Sequence, residues 1–155
     1  MPTITDRLSR LGLSLPEPPK PVASYVPAAI VSSGCPVFVS GQLPFKDGSL
    51  IATGTVPDVV TPEMARKCAQ QCVLNGLAAL QSEIGSLERL RRVIRLGVFV
   101  ASGPGFFDQP SIANGASDLL VELLGEQGKH ARAAVSVPSL PLNAPVEIEF
   151  LFNVD

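Results

Sequence analysis

The chain has 155 residues, 46% of them apolar and 17% charged, and a formal net charge of -2. Such a composition supports one globular domain with a sizeable core and excludes a disordered chain. With no dense run of Lys or Arg there is no electrostatic case for a nucleic-acid partner, and no apolar stretch is long enough to span a membrane.

Thr3 can cap a short first helix with Asp6 as the capping-box acid, and Ile4, Leu8 and Leu11 then share a side up to a stop at Gly12. The LPEPPKP stretch that follows, with four prolines in seven residues, is an extended connector. AAIVSS and PVFVS, two short apolar runs around SSGCP, read as a hairpin, and Asp47-Gly48 marks a further turn. Thr61-Pro62-Glu63 has the form of a helix start. The stripe Val73, Leu77, Leu80 and Ile84 carries that helix to Gly85, and residues 86–90 suggest one short turn. RRVIRLGVFVAS alternates as a strand, with Ile94, Leu96, Val98 and Val100 predicted on one face. The loop ASGPGFFDQP leads to a second long helix over Ser111 to Leu124, closed by Gly125 and Gly128. Two strands end the chain, ARAAVSV and VEIEFLF.

That order predicts an α+β fold of two layers, with both long helices on one face of a sheet of four to six strands. The other face would still carry Val and Phe side chains, for which a subunit interface is the natural cover.

The N-terminal MPTITDRLSRLGLSL lacks the basic start and apolar run of a secretory leader. Three cysteines with no CxxC pair fit a reduced, cytoplasmic compartment. Cys68 and Cys72 would share a helix face. No second His or Cys cluster completes a metal site around them, so they read as small core residues and no metal is expected. Cys35 reads as a buried or turn thiol. His130, the single histidine, has no partner that the sequence alone supplies.

Period-two counting sets Arg132, Ala134 and Ser136 on one face of their strand, and Glu147, Glu149 and Leu151 on one face of theirs. Both faces are predicted opposite the core. They could be a solvated face or an ion pair between strands. They could also form a pocket for a small acid, in which Arg clamps a carboxylate through two parallel hydrogen bonds and Glu handles protons.

Four markers, in order, decide between these readings. They are Tyr25 in ASYVPA, Ser40-Gly41-Gln42-Leu43-Pro44, Asn114 in IANGA, and Arg132 followed by Leu140-Pro141 and the VEIE strand at 146–149. On these the chain resembles the reactive intermediate deaminase family (RidA, or YjgF) over roughly Val22 to Val154. Residues 1–21 would stand outside as a short helix and proline-rich connector, and 22–155 would form the RidA-like domain. The resemblance implies a chorismate-mutase-like mixed sheet backed by two helices, assembled as a homotrimer around a central barrel with pockets at the subunit interfaces. It implies cofactor-free hydrolysis of 2-imino or enamine acids to 2-keto acids and ammonia. Arg132 would hold the substrate carboxylate, Glu147 would activate water, and the Gly41 backbone and Tyr25 hydroxyl would contact substrate or water. Asn114 would help from the neighbouring subunit, and Ala134 would line the substrate site where the family often has Cys. A guanidinium near Glu147 would keep it ionised. Glu149 reads as structural. His130 stands where the family usually has Pro, Pro138 interrupts a strand end, and GPGFFDQP is an added loop.

A non-catalytic protein that binds or senses small carboxylates in the same clefts would need Arg132 without Glu147. Ribonuclease activity, sometimes attached to relatives, finds no basic aromatic stripe here.

Overall fold

The structure, a computed structural model, describes residues 3–18, 28–30 and 36–155. The first helix, α1 (Ile4–Arg10), has the expected capping box: the Thr3 hydroxyl accepts from the Asp6 amide, and the Asp6 carboxylate accepts from the Thr3 amide. Ile4 and Leu8 are buried, and Arg7 donates to the Leu123 carbonyl at 2.7 Å, so this helix packs on the rest of the chain.

Two strands, β1 (Ala28–Ile30) and β2 (Pro36–Gln42), pair antiparallel. Residues 31–35, where the sequence suggests a turn and where Cys35 stands, lie outside the described residues. Phe45–Lys46 (β3) and Ser49–Leu50 (β4) form a small separate hairpin. Its turn is Asp47-Gly48, both at positive φ, which is the backbone a two-residue hairpin turn demands. The long helix α2 (Pro62–Ile84) starts at Thr61, whose hydroxyl accepts from the Met64 amide, and stops at Gly85 with φ 81°.

Next come a 3-10 turn at Leu87–Arg89, the strand β5 (Leu90–Ala101) and the helix α3 (Gln109–Leu124), which starts two residues earlier than its pattern suggested. The last strands are β6 (Ala131–Val137) and β7 (Val146–Val154). The sheet runs β1-β2-β7-β5-β6, antiparallel except for β5 and β6. That parallel pair is joined through α3, the crossover such a pair requires.

The core lies between the sheet and the two long helices. Val93, Leu96, Val98 and Val100 of β5 and Val146, Ile148, Phe150 and Phe152 of β7 meet Cys72, Leu77 and Leu80 of α2 and Ile112, Leu120 and Leu123 of α3. Ile94, expected on this face, is instead 38% exposed. The pairing of β5 with β7 shifts register between Val93 and Arg95, and that irregularity turns Ile94 outward. Gly76 lies under the Phe150 ring and Gly115 against the Arg66 backbone, so glycine sets the approach of helix to sheet and of α3 to α2. Among the described residues, no helix packs on the opposite face of the sheet. Phe38, at 52% exposed, and Val135, at 45%, stand on it. No described helix is long and apolar enough to cross a membrane.

Candidate functional site

Arg132 opens the edge strand β6, opposite Leu96 of β5. Partners across a parallel pair project to the same side, so Arg132 points to the helix-bearing face and reaches α3. There its Nη1 donates to Asn114 Oδ1 at 2.9 Å and to Ser117 Oγ at 3.0 Å. Asn114 and Ser117 are three apart and share a helix face. Ser117 Oγ in turn lies 3.0 Å from His130 Nε2, and His130 Nδ1 meets the Gly128 carbonyl. Burial lowers the His130 pKa, the Gly128 bond opposes that shift in part, and the Arg132 charge adds a smaller push downward. Both Nη1 hydrogens of Arg132 are therefore engaged, while Nε and Nη2 meet no partner among the described residues. A free Nε–Nη2 edge is the geometry that matches a carboxylate bidentately.

Ala134, opposite Val98, packs against the core beside this group. The expectation that Arg132, Ala134 and Ser136 project away from the core is thus corrected. Alternation fixes which residues share a face of β6 but not which face; its parallel register with β5 does. Asn114, expected to help from a neighbouring subunit, holds Arg132 within the same chain.

Glu147 lies on the other side of the sheet. It pairs with Phe99 across β7 and β5, between the inward Val146 and Ile148. Its carboxylate rests over Gly41, at the irregularity in β2 between Val39 and Gln42, and a Cβ at position 41 would overlap Oε1. Glu149 occupies a similar seat over Gly97, where a Cβ would come within 2.6 Å of Oε1, and it pairs with Arg95 at 3.0 Å. Half-exposed pairs of this kind add little stability. Burial raises the Glu147 pKa, and the Glu149 charge raises it further. The guanidinium expected to hold Glu147 ionised is not its neighbour within the chain, since Arg132 stands on the opposite face two strands away.

The single chain therefore holds two clusters, Arg132 with Asn114, Ser117 and Ala134, and Glu147 with Gly41. It does not bring them together. Tyr25 lies outside the described residues. Ser117, His130 and Gly97 had no role in the sequence reading. The Asn114–Ser117 spacing, placed beside an Arg-bearing strand, is the signal that could have found Ser117. Cys68 and Cys72 are buried, and burial pushes the Cys68 thiol up to about 11 and Cys72 well above its ordinary value. Neither is poised as a nucleophile at neutral pH. No cluster of three or more His, Cys, Asp or Glu side chains fit to hold a metal occurs among the described residues.

Residues 5–154 match the family described as "YjgF/chorismate_mutase-like, putative endoribonuclease". The chain belongs to this family. The YjgF match takes in α1, beyond the Val22–Val154 span that the sequence markers covered. A curated relative, protein TCP17 of Trypanosoma cruzi, is 40% identical over 98% of this chain and 94% of its own length. The Agrobacterium tumefaciens protein Atu1372, of unknown function, has 44% identity and a TM-score of 0.89 over 99% of this chain and 92% of its own. A candidate endoribonuclease of Shewanella oneidensis has 31% identity and a TM-score of 0.93 over 98% and 99%. RidA of an Antarctic Psychrobacter stands further off, with 26% identity and a TM-score of 0.63 over 89% and 94%. The mixed α+β fold is that of the YjgF proteins, and the chain sits nearer to TCP17 and Atu1372 than to this RidA.

Proposed function

We propose that the chain is a hydrolytic deaminase of reactive 2-imino and enamine acids, acting without a cofactor at sites formed where copies of the chain meet. The observation that carries the reading is the Arg132 side chain, tied at Nη1 by Asn114 and Ser117 and presenting its Nε–Nη2 edge. A small carboxylate is the ligand that edge fits best. Family membership supports the reaction class.

An imine carbon is already electrophilic, so a fixed acid group and one oriented water supply much of what the reaction needs. With the substrate carboxylate on Arg132, Glu147 takes a proton from water as its oxygen bonds to C2, giving a tetrahedral carbinolamine. On the neutral carbinolamine that a protonated imine gives, Glu147 then returns that proton to nitrogen and accepts the hydroxyl proton as C=O forms and the C–N bond breaks, so that a 2-keto acid and ammonia leave. A raised carboxyl pKa suits this double role, because it narrows the gap to the working pH. Gly41 keeps the space over the carboxylate clear, and the Tyr25 hydroxyl is assigned to substrate or water.

Arg132 and Glu147 stand on opposite faces of one sheet, so the proposed site takes them from two protomers. The exposed Phe38 and Val135 offer a sheet-to-sheet contact, and β6 is an edge strand whose Arg132 a neighbour can reach. A homotrimer closed through these faces satisfies both demands.

The test is ammonia release from freshly generated 2-iminopropanoate. Wild type should accelerate it, and Glu147→Gln should lower kcat about a hundredfold or more while sparing binding of pyruvate. Arg132→Ala should lose both turnover and binding. Wild type that binds pyruvate without speeding ammonia release would make the chain a keto-acid binding protein instead.

A further inference from the structure

We propose that Ser117 and His130 are positioning residues for Arg132, which aim its Nε–Nη2 edge at the bound anion, and that His130 takes up a proton when a carboxylate binds. The inference rests on the carboxylate-binding role given to Arg132 above, and it assigns a task to two residues outside the transferred set.

The direction of the chain of hydrogen bonds follows from its fixed end. The Gly128 carbonyl can only accept, so His130 Nδ1 carries the proton and Nε2 of the neutral ring is an acceptor. The Ser117 hydroxyl, 3.0 Å away, donates to Nε2, and its oxygen accepts from Arg132 Nη1, also at 3.0 Å. Asn114 Oδ1 takes the second Nη1 hydrogen. A guanidinium is planar, so fixing both hydrogens of one nitrogen fixes the plane and direction of the opposite edge. The far end is rigid too. A side chain on Gly128 would run into the Leu120 carbonyl of α3, so the turn ahead of β6 is held against the same helix that carries Ser117.

Protonation changes one link. With Nε2 protonated, both His130 and Arg132 donate to Ser117 Oγ, and the hydroxyl hydrogen swings away, free to donate towards an anion on Arg132. Two cations then flank one hydroxyl, an arrangement that is unfavourable alone and relieved by an anion. The other charges near His130 do not supply one. Arg92 of β5 and Lys129 line the same open cleft beside it, and Lys129 is already paired with Glu126 of the 3-10 turn at Gly125–Gly128. Burial and Arg132 both favour the neutral ring in the free protein. An anion at Arg132 therefore raises the proton affinity of His130, and by reciprocity a protonated His130 raises the affinity for the anion. The gain is full below the His130 pKa of the free protein and fades as pH rises through that of the complex.

His130 is the only histidine in the chain, so its Cε1–H resonance reports on it without assignment. The experiment follows that resonance from acid to neutral pH in full-length protein, free and saturated with pyruvate. The midpoint should move up by about half a pH unit on binding, and pyruvate should bind roughly threefold tighter at the acid end. His130→Gln should lose the dependence of pyruvate binding on pH, whereas a merely structural side chain would leave that slope in place. Ser117→Ala should weaken pyruvate several-fold and uncouple the His130 midpoint from the ligand. Pyruvate that binds, is lost in Arg132→Ala, and leaves the midpoint unmoved would overturn this inference alone. Pyruvate that does not bind wild type at any pH would overturn the carboxylate role of Arg132 and this inference with it.

Discussion

Gly41 is a residue whose value lies in what it lacks. The Glu147 carboxylate rests where a Cβ would stand, and the far end of a flexible side chain is what that Cβ would meet. Gly41→Ala should therefore leave the fold close to wild type, within about 1 kcal/mol by urea unfolding, because Glu147 can swing aside. The displaced carboxylate would no longer meet water in register, so deaminase turnover should fall at least about tenfold with pyruvate affinity nearly kept. A loss of affinity equal to the loss of turnover would place Gly41 on the anion instead. The sequence marked Gly41, Glu147, Asn114 and Arg132 through the order of their motifs. The Asn114–Ser117 spacing makes Ser117 a candidate partner of Arg132, but the contact itself depends on how α3 is rotated over β6, which is a tertiary fact.

At the scale of elements, turn and cap chemistry made most boundaries legible. Thr3, Thr61, Gly85 and the Asp47-Gly48 pair all serve as their residue types imply. Asp108 before α3 makes no side-chain cap, and that helix starts two residues ahead of its apolar pattern. Ile94 and the faces of β6 depart from what alternation alone suggests for a different reason. Alternation is a local rule, whereas a register shift and the choice of neighbour are tertiary facts. The α2–α3 contact gives a prediction at this scale. A Cβ on Gly115 would come within 2.5 Å of the Arg66 carbonyl oxygen, and backbone cannot move aside as a side chain does. Gly115→Ala should destabilise the chain by roughly 1–3 kcal/mol in urea unfolding despite the better helix propensity of Ala. The same shift of α3 should carry Asn114 and Ser117 away from Arg132 and weaken pyruvate binding. Unchanged stability would mean that the two helices can part at no cost.

For the whole molecule, the question is what covers the side of the sheet on which no described helix packs. Composition and strand patterning pointed to an uncovered face, and Phe38 and Val135 stand exposed on it. Phe38→Glu should keep the fold, since that side chain is half in water already, but it should place a charge where the proposed contact forms. Light scattering should then find wild type as a trimer and the variant as a monomer. Ammonia release should vanish with the assembly, because the two halves of the site stand on opposite faces. A monomeric variant with full turnover would mean that each chain carries a complete site.

The crossover from β5 through α3 to β6 has a practical corollary. The guanidinium, the groups that brace it and the imidazole behind them all come from one continuous stretch, residues 114–132, while the acid arrives from the last strand. Grafting the stretch 109–137 into a relative should therefore carry the anion grip and its pH response across as a cassette, with the recipient keeping its own proton-transfer group.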